Sequence, residues 1–362
     1  MNATVGQTVL PTPLAEAHQA AGAKIGEWFG CALPSDFGDW RAEYRFARES
    51  AALLDKNYRA YLAFAGQDRV RFLNAILTNN IKDLKTGEGV TSLFLNPQGR
   101  IQAEIETYAE AVRLFCVSFA TIREKLIPAL DHYIIMDEVT LNDESSCYGT
   151  LALEGPRCSA VVKQLCGFEL DILPELGWKE SQLGSIPCRV VRRSPAGVPC
   201  AEFVCEQSHL QPLWNLLLDA VKANAGGPVG YTALNALRLE AGIPWYGYDF
   251  GEKQIPHEAG LEKSHISYTK GCYTGQEIVE RVRSRGKVNR VRALFKLLAP
   301  NLPDAETPIL SEGKEVGHVT RATESPFFQS VVAMGYIRRE LSTPDSELLI
   351  ADKTATVISP RS

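Results

Sequence analysis

Residues 100–108 read Arg-Ile-Gln-Ala-Glu-Ile-Glu-Thr-Tyr, so apolar Ile101, Ala103 and Ile105 alternate with Gln102, Glu104 and Glu106. A period of two predicts a strand with one buried and one polar face, and Tyr108 falls on the polar side. The same reading gives strands over Tyr58–Ala65 and Val90–Leu95, and a helix capped by Asp68 that carries Val70, Leu73, Ile76 and Leu77. Asn96-Pro97-Gln98-Gly99 is a turn. A hairpin strand over Val112–Phe119, a helix near 121–133 and a strand over Ile134–Leu141 complete a first module, residues 51–145. The order recurs with a strand at 148–153, a helix from Pro156 to Leu165, strands at 187–193 and 200–205, and a helix over 208–223. A helix from Thr232 then runs to Glu240 and stops at Gly242 and Pro244.

These elements set the expected organisation: a helical segment over 1–50, α+β modules over 51–145 and 146–288, and a small all-β domain over 289–362. The two modules resemble ferredoxin-like units. A length of 362 residues is more than one core usually holds. The net charge of −5 and pI near 5.8 argue against nucleic-acid binding as the main task. Nine cysteines without a CxxC pair signal neither a disulfide framework nor a zinc site. Residues 1–22 lack arginine and the chain has no membrane-length apolar run, so a cytoplasmic location is expected; a monomer is also expected.

Four places carry candidate chemistry. In Lys270-Gly271-Cys272-Tyr273-Thr274-Gly275-Gln276-Glu277, Thr274 and Glu277 have capping-box spacing. Cys272 would then precede a helix N-terminus, with Lys270 nearby to favour its thiolate; the alternative is a small buried cysteine. Glu240 lies in the last turn of its helix, where the dipole disfavours a carboxylate and a compensating donor is required. Gln102, Glu104 and Tyr108 share the polar strand face. The run Arg281, Arg283, Arg285, Lys287, Arg290 and Arg292 could grip a polyanion or be a solvated helix end.

The stretch Leu237-Arg238-Leu239-Glu240-Ala241-Gly242-Ile243-Pro244, followed by Tyr246-Gly247, Asp249, Pro256 and Glu258, resembles the signature of the glycine-cleavage T-protein (aminomethyltransferase) superfamily. Lys270–Glu277 and Phe94–Arg100 look like the YgfZ branch, which includes a mitochondrial iron–sulfur assembly factor. Val316–Thr320 and Ala333–Tyr336 resemble the superfamily's terminal barrel. The resemblance implies an α+β fold of three domains in a cloverleaf, with two ferredoxin-like modules around a central folate channel and a small C-terminal β-barrel. It implies tetrahydrofolate or a one-carbon derivative as cofactor, with Glu240 holding the pterin and Tyr108, Arg238, Tyr273 and Arg59 at its site. Arg59 stands where some YgfZ proteins carry a channel tryptophan. The T-protein's catalytic Asp-Asp pair is Ala103-Glu104 here, and the T-protein lacks a cysteine at the place of Cys272.

The expected function is therefore folate-dependent support of iron–sulfur cluster assembly or repair, linked in bacteria to tRNA thiolation. Cys272, Lys270 and Glu104 are its reactive residues, and iron–sulfur client or assembly proteins its partners. Two alternatives stand beside it. One is an aminomethyltransferase using Glu104 as acid–base group; the other is an RNA-contacting module built on the basic run.

Overall fold

The computed structural model describes residues 8–299 and 301–361. It is a mixed α+β protein whose chain divides into two compact, discontinuous units. The first takes the chain up to Phe72, Ile81–Val90 and Ile105–Leu234; the second takes Leu73–Asn80, Thr91–Glu104 and the chain from Asn235 onward.

In the first unit a six-stranded sheet has the order Trp178–Leu183, Ile186–Arg193, Cys200–Glu206, Tyr148–Glu154, Ala52–Asp55, Gly227–Pro228. Its inner strands are antiparallel. Leu53, Leu151, Leu153 and Phe203 from this sheet pack with Val161 and Val162 of helix Cys158–Cys166 and with Trp214 and Leu217 of helix Leu210–Ala223. Each helix brings an apolar stripe at helical spacing, which explains why the strand–helix–strand–helix pattern was visible in the sequence. A second sheet runs Gly89–Leu95, Ile101–Ala109, Leu114–Phe119, Arg59–Ala65, Thr140–Asp143. The turn end of its first hairpin, Thr91–Glu104, is counted with the second unit.

The structure corrects several expectations in this part of the chain. The segment before residue 50 is not only helical. Between helices Ala15–Ala20 and Trp40–Glu49 lies a hairpin, Lys24–Trp28 with Cys31–Asp36. Its two-residue turn puts both Phe29 (φ 51°) and Gly30 (φ 67°) in the left-handed region, as a type I′ turn requires. The Phe29 ring stacks on Tyr58 with centroids 4.2 Å apart, which offsets the cost of a non-glycine there. Residues 134–139 are not strand, and Ile135 and Met136 are exposed. The strand Trp178–Leu183 was not anticipated, because adjacent exposed Lys179 and Glu180 interrupt the apolar–polar alternation.

The second unit carries most of helix Tyr231–Glu240, helix Gln276–Arg285 and a closed six-stranded barrel. The barrel order is Arg290–Leu297, Ser330–Arg338, Lys314–Ser325, Pro308–Ser311, Glu347–Ile350, Lys353–Ile358. Phe295, Ile309, Val319, Ala333, Ile337 and Ile350 fill it. This agrees with the all-β reading of the C-terminal segment.

A buried ionic cluster organises the first unit. Arg59 makes a bidentate pair with Glu202 (2.7 and 2.8 Å), Lys56 reaches the same carboxylate at 3.2 Å, and Arg193 pairs with Glu106. Burial alone would raise the Glu202 pKa, but Arg59, Lys56 and Arg193 hold it well below the usual carboxylate range. The stabilisation from this ionisation is therefore complete above about pH 4.3 and is lost as pH falls through the lowered native value. Glu202→Gln should lower unfolding free energy by about 3–5 kcal/mol at pH 7, since it leaves buried cations uncompensated. In urea titrations the gap to wild type should close as pH drops below about 4.

Candidate active site

Two motifs singled out in the sequence meet within the second unit. Asn96 closes the turn before the Ile101–Ala109 strand. Its carbonyl accepts from Gly99 N–H (2.9 Å), and its side-chain oxygen accepts from the Gln98 and Arg100 amides (3.0 and 2.9 Å). Gly275 lies against this turn with φ 80°, and a Cβ there would come within 2.6 Å of the Asn96 carbonyl oxygen. Glycine is required for that approach. The loop carrying residues 270–275 is thereby fixed beside the start of the strand.

Thr78, fully buried, ties the rest together. Its hydroxyl accepts from Leu93 N–H (2.8 Å) and donates to the His265 carbonyl (2.6 Å), and its own carbonyl takes Ser267 N–H (3.0 Å). His265 N–H bonds to Leu261 O at 3.0 Å. With its backbone held on both sides, His265 turns its ring toward the strand, and Nε2 lies 2.8 Å from Glu104 Oε1. Nδ1 lies 2.7 Å from Ser264 Oγ. The period-two alternation holds at this end: Ile101, Ala103 and Ile105 are buried, while the side chains of Glu104 and His265 are 23% and 12% exposed. The Tyr246 hydroxyl donates to the Gln102 carbonyl at 2.5 Å. Burial, with Glu252 and Glu104 nearby, raises the pKa of that phenol. The result is a reachable carboxylate held by an imidazole, with a phenol alongside. His265 was not picked out from the sequence, because it lies 161 residues from Glu104 in a loop without periodicity.

Lys270 sits differently from the expectation. Its ammonium donates to the carbonyls of Asn74 (2.5 Å), in the last turn of helix Arg69–Ile76, and of Leu77 and Asn79 (3.1 Å) just past it. An ammonium has three donors, and all three are used on orphan carbonyls of a helix end. Burial pushes its pKa down to about 8. It also lies over the Tyr273 ring, 5.0 Å from the centroid. Tyr273 is itself buried, and its hydroxyl is buried without a hydrogen-bond partner among the described residues. Helix Gln276–Arg285 starts later than the capping-box reading placed it, with Gly275 as its N-cap and no side-chain cap. Cys272 is exposed in the loop before it.

Glu240 is fully buried at the end of its helix, and the compensation its position demands comes from the protein. Oε1 accepts from the Ser325 hydroxyl (2.6 Å) and the Phe327 amide (3.2 Å). Arg238 is buried too, donating to Asn235 Oδ1 (3.0 Å), Ile243 O (3.2 Å) and Asp249 beneath the Trp245 ring. It is a core brace rather than an exposed ligand-binding arm. In the first unit, Arg59 is engaged in the ionic cluster described above. Tyr108, expected on the polar face, is buried among Tyr61, Phe115 and Leu176 with its hydroxyl on Glu106 (2.7 Å).

The basic run is dispersed. Arg281 pairs with Glu277 at 2.8 Å, Arg283 stacks on Tyr268, and Arg292 donates to Ala259 O and Gly242 O (2.9 and 2.7 Å). Arg283, Lys287 and Arg292 border a cleft of 590 Å³ with Arg339. The Arg285 side chain lies outside those described.

Residues 14–266 match the model of the GCVT N-terminal domain, and residues 290–358 match that of the glycine cleavage T-protein C-terminal barrel domain. The chain belongs to the glycine cleavage T-protein family. It is 29% identical over 329 residues to an aminomethyltransferase of Moorella thermoacetica, covering 90% of this chain and 89% of that protein. It is 27% identical over 341 residues to an aminomethyltransferase of Rubrobacter xylanophilus, covering 94% and 90%. The crystal structure of the glycine cleavage system aminomethyltransferase T from Bartonella henselae has the same fold, with a TM-score of 0.86, 24% identity and 97% of each chain covered.

These relatives overturn the expectation of iron–sulfur cluster assembly or repair, with its client proteins and its link to tRNA thiolation, since the proteins matched over nine-tenths of the chain are named aminomethyltransferase. Neither the YgfZ branch nor its partners gain support from them. Tetrahydrofolate is the one-carbon carrier of this family, as the resemblance implied. For such a ligand the second unit offers the Glu104 carboxylate and the Gln102 side chain on one strand face. It does not offer both oxygens of Glu240 to a pterin edge, because Oε1 already takes two donors. No helix among the described residues is long and apolar enough to cross a membrane. No group of three or more His, Cys, Asp or Glu among them is placed to hold a metal.

If Lys270 serves chiefly as a helix-end cap, Lys270→Met should cost about 1–3 kcal/mol in urea unfolding, the penalty for buried acceptors left unpaired. Alkylation of Cys272 by iodoacetamide should stay within about twofold of wild type, whereas a thiolate that depends on Lys270 would slow far more.

Proposed function

We propose that this chain is an aminomethyltransferase that works with tetrahydrofolate, with Glu104 as its acid–base group. What carries the reading is the Glu104 carboxylate, partly exposed on the strand face and held at 2.8 Å by His265. The strand's alternation bears on the departure from the family's Asp-Asp pair. Ala103 points into the core, so an acid there would not share a face with position 104. One carboxylate on the polar face retains the chemistry that such a pair can direct at a ligand.

Tetrahydrofolate, when bound, supplies the two nitrogens between which a transferred methylene is held. Glu104 would take a proton from the attacking nitrogen and return it to the departing amine, the role of a general acid–base group. Gln102 and Glu104 would orient the one-carbon end of the ligand, and the buried Ile101 and Ala103 keep the strand rigid beneath it. Cys272 has no part in this sequence of events. Transfer to tetrahydrofolate, assayed with an aminomethyl donor, should fall about 10²–10⁴-fold in Glu104→Gln. Cys272→Ala should keep it within about twofold of wild type. Loss of transfer in Cys272→Ala with Glu104→Gln unaffected would reverse the assignment.

A further inference from the structure

We propose that His265 is a positioning residue for Glu104, and that Ser264 sets the His265 tautomer. The inference rests on the acid–base reading of Glu104 and names the groups that make that carboxylate serviceable. Three side chains form one hydrogen-bonded row: Ser264 Oγ to His265 Nδ1 at 2.7 Å, and His265 Nε2 to Glu104 Oε1 at 2.8 Å. Backbone hydrogen bonds hold the histidine's end of the row. The His265 amide and carbonyl are held by Leu261 and Thr78. The Ser264 carbonyl takes the Asn79 side-chain amide at 3.4 Å.

An imidazole between a carboxylate and a hydroxyl has a preferred proton arrangement. A carboxylate can only accept, so Nε2 carries the proton toward Glu104 and Nδ1 accepts from Ser264. This ties one carboxylate oxygen to the ring, and the Glu104 side chain stays 23% exposed. Segment Leu73–Asn80, which packs beneath the row, contributes no charged side chain. Tyr246 lies near both Glu104 and Glu252, and Glu262 and Lys263 precede the row on the histidine's own loop. The row is an orienting contact for that carboxylate. An error of about 1 Å in the placement of a reacting group costs on the order of a hundredfold in rate, which is the effect such a brace prevents.

Two measurements test this together. In nitrogen–proton NMR of the full-length protein without folate, the His265 resonance is assigned by its loss in His265→Ala. It should show the Nε2-protonated tautomer, move in Glu104→Gln and redistribute between tautomers in Ser264→Ala. In the transfer assay, His265→Ala should lower kcat about 10–100-fold with KM for tetrahydrofolate within about twofold. His265→Gln, whose amide can still donate to Glu104, should recover most of the loss. His265→Ala combined with Glu104→Gln should be no slower than Glu104→Gln alone. An Nδ1-protonated ring, a spectrum indifferent to Glu104→Gln, or losses that multiply in the double variant would overturn the proposal. A wild-type chain without transfer activity would instead remove the functional reading, and the spectrum would then decide the pairing by itself.

Discussion

A strand can give only every second side chain to a ligand, and that constraint shapes both units of this protein. Along Ile101–Ala109 the apolar set Ile101, Ala103 and Ile105 is committed to the core. Gln102, Glu104 and Glu106 therefore share the other face whatever surrounds them. Their fates then diverge by neighbour. Glu106 is taken up by Arg193 and the Arg59–Glu202 cluster of the first unit, becoming a structural ion. Glu104 meets a neutral-capable imidazole and stays partly exposed in the second. Guanidinium groups hold the Glu106 carboxylate ionised, whereas Glu104 keeps an exposed edge beside a histidine.

What the sequence made legible follows the reach of its signals. Periodic elements were readable, and so were the barrel strands, whose short runs are separated by Pro, Gly and Asp. The Phe94–Arg100 and Lys270–Glu277 motifs were visible as motifs, but not the glycine contact that joins them. Sequence proximity misled at Lys270. Two residues from Cys272, it reads as an activator of the thiol, yet its donors go to carbonyls more than 190 residues away. A cationic side chain near a thiol in sequence competes with every orphan helix carbonyl near it in space, and here the carbonyls won. Arg59, Tyr108 and Arg238 were expected at a ligand: Arg59 at a channel-tryptophan position, Tyr108 on the polar strand face and Arg238 within a matched motif. All three side chains are buried against protein groups, with Arg238 Nη2 left without a partner among the described residues, and no single-chain pattern reports this. The Phe29-Gly30 hairpin was missed because a positive-φ phenylalanine carries no turn signature.

Family membership and site chemistry rest on different grounds. The two domain models cover the chain from residue 14 to 358 apart from the 267–289 stretch. That stretch contains Lys270–Glu277, the motif that suggested an iron–sulfur role. The relatives matched over nine-tenths of the chain carry another name, and the loop's contacts serve its own anchoring. Fold similarity alone would leave the chemistry open. The carboxylate–imidazole–hydroxyl row is a feature of this chain's own residues and gives the acid–base assignment a geometric basis.

The most direct test of that assignment is a crystal structure of the protein with tetrahydrofolate bound. The account predicts a one-carbon-bearing nitrogen within about 3.5 Å of Glu104, with the His265 contact to the same carboxylate intact. A folate seated with its reactive nitrogens more than about 6 Å from Glu104, or with Glu104 turned away from His265, would contradict it.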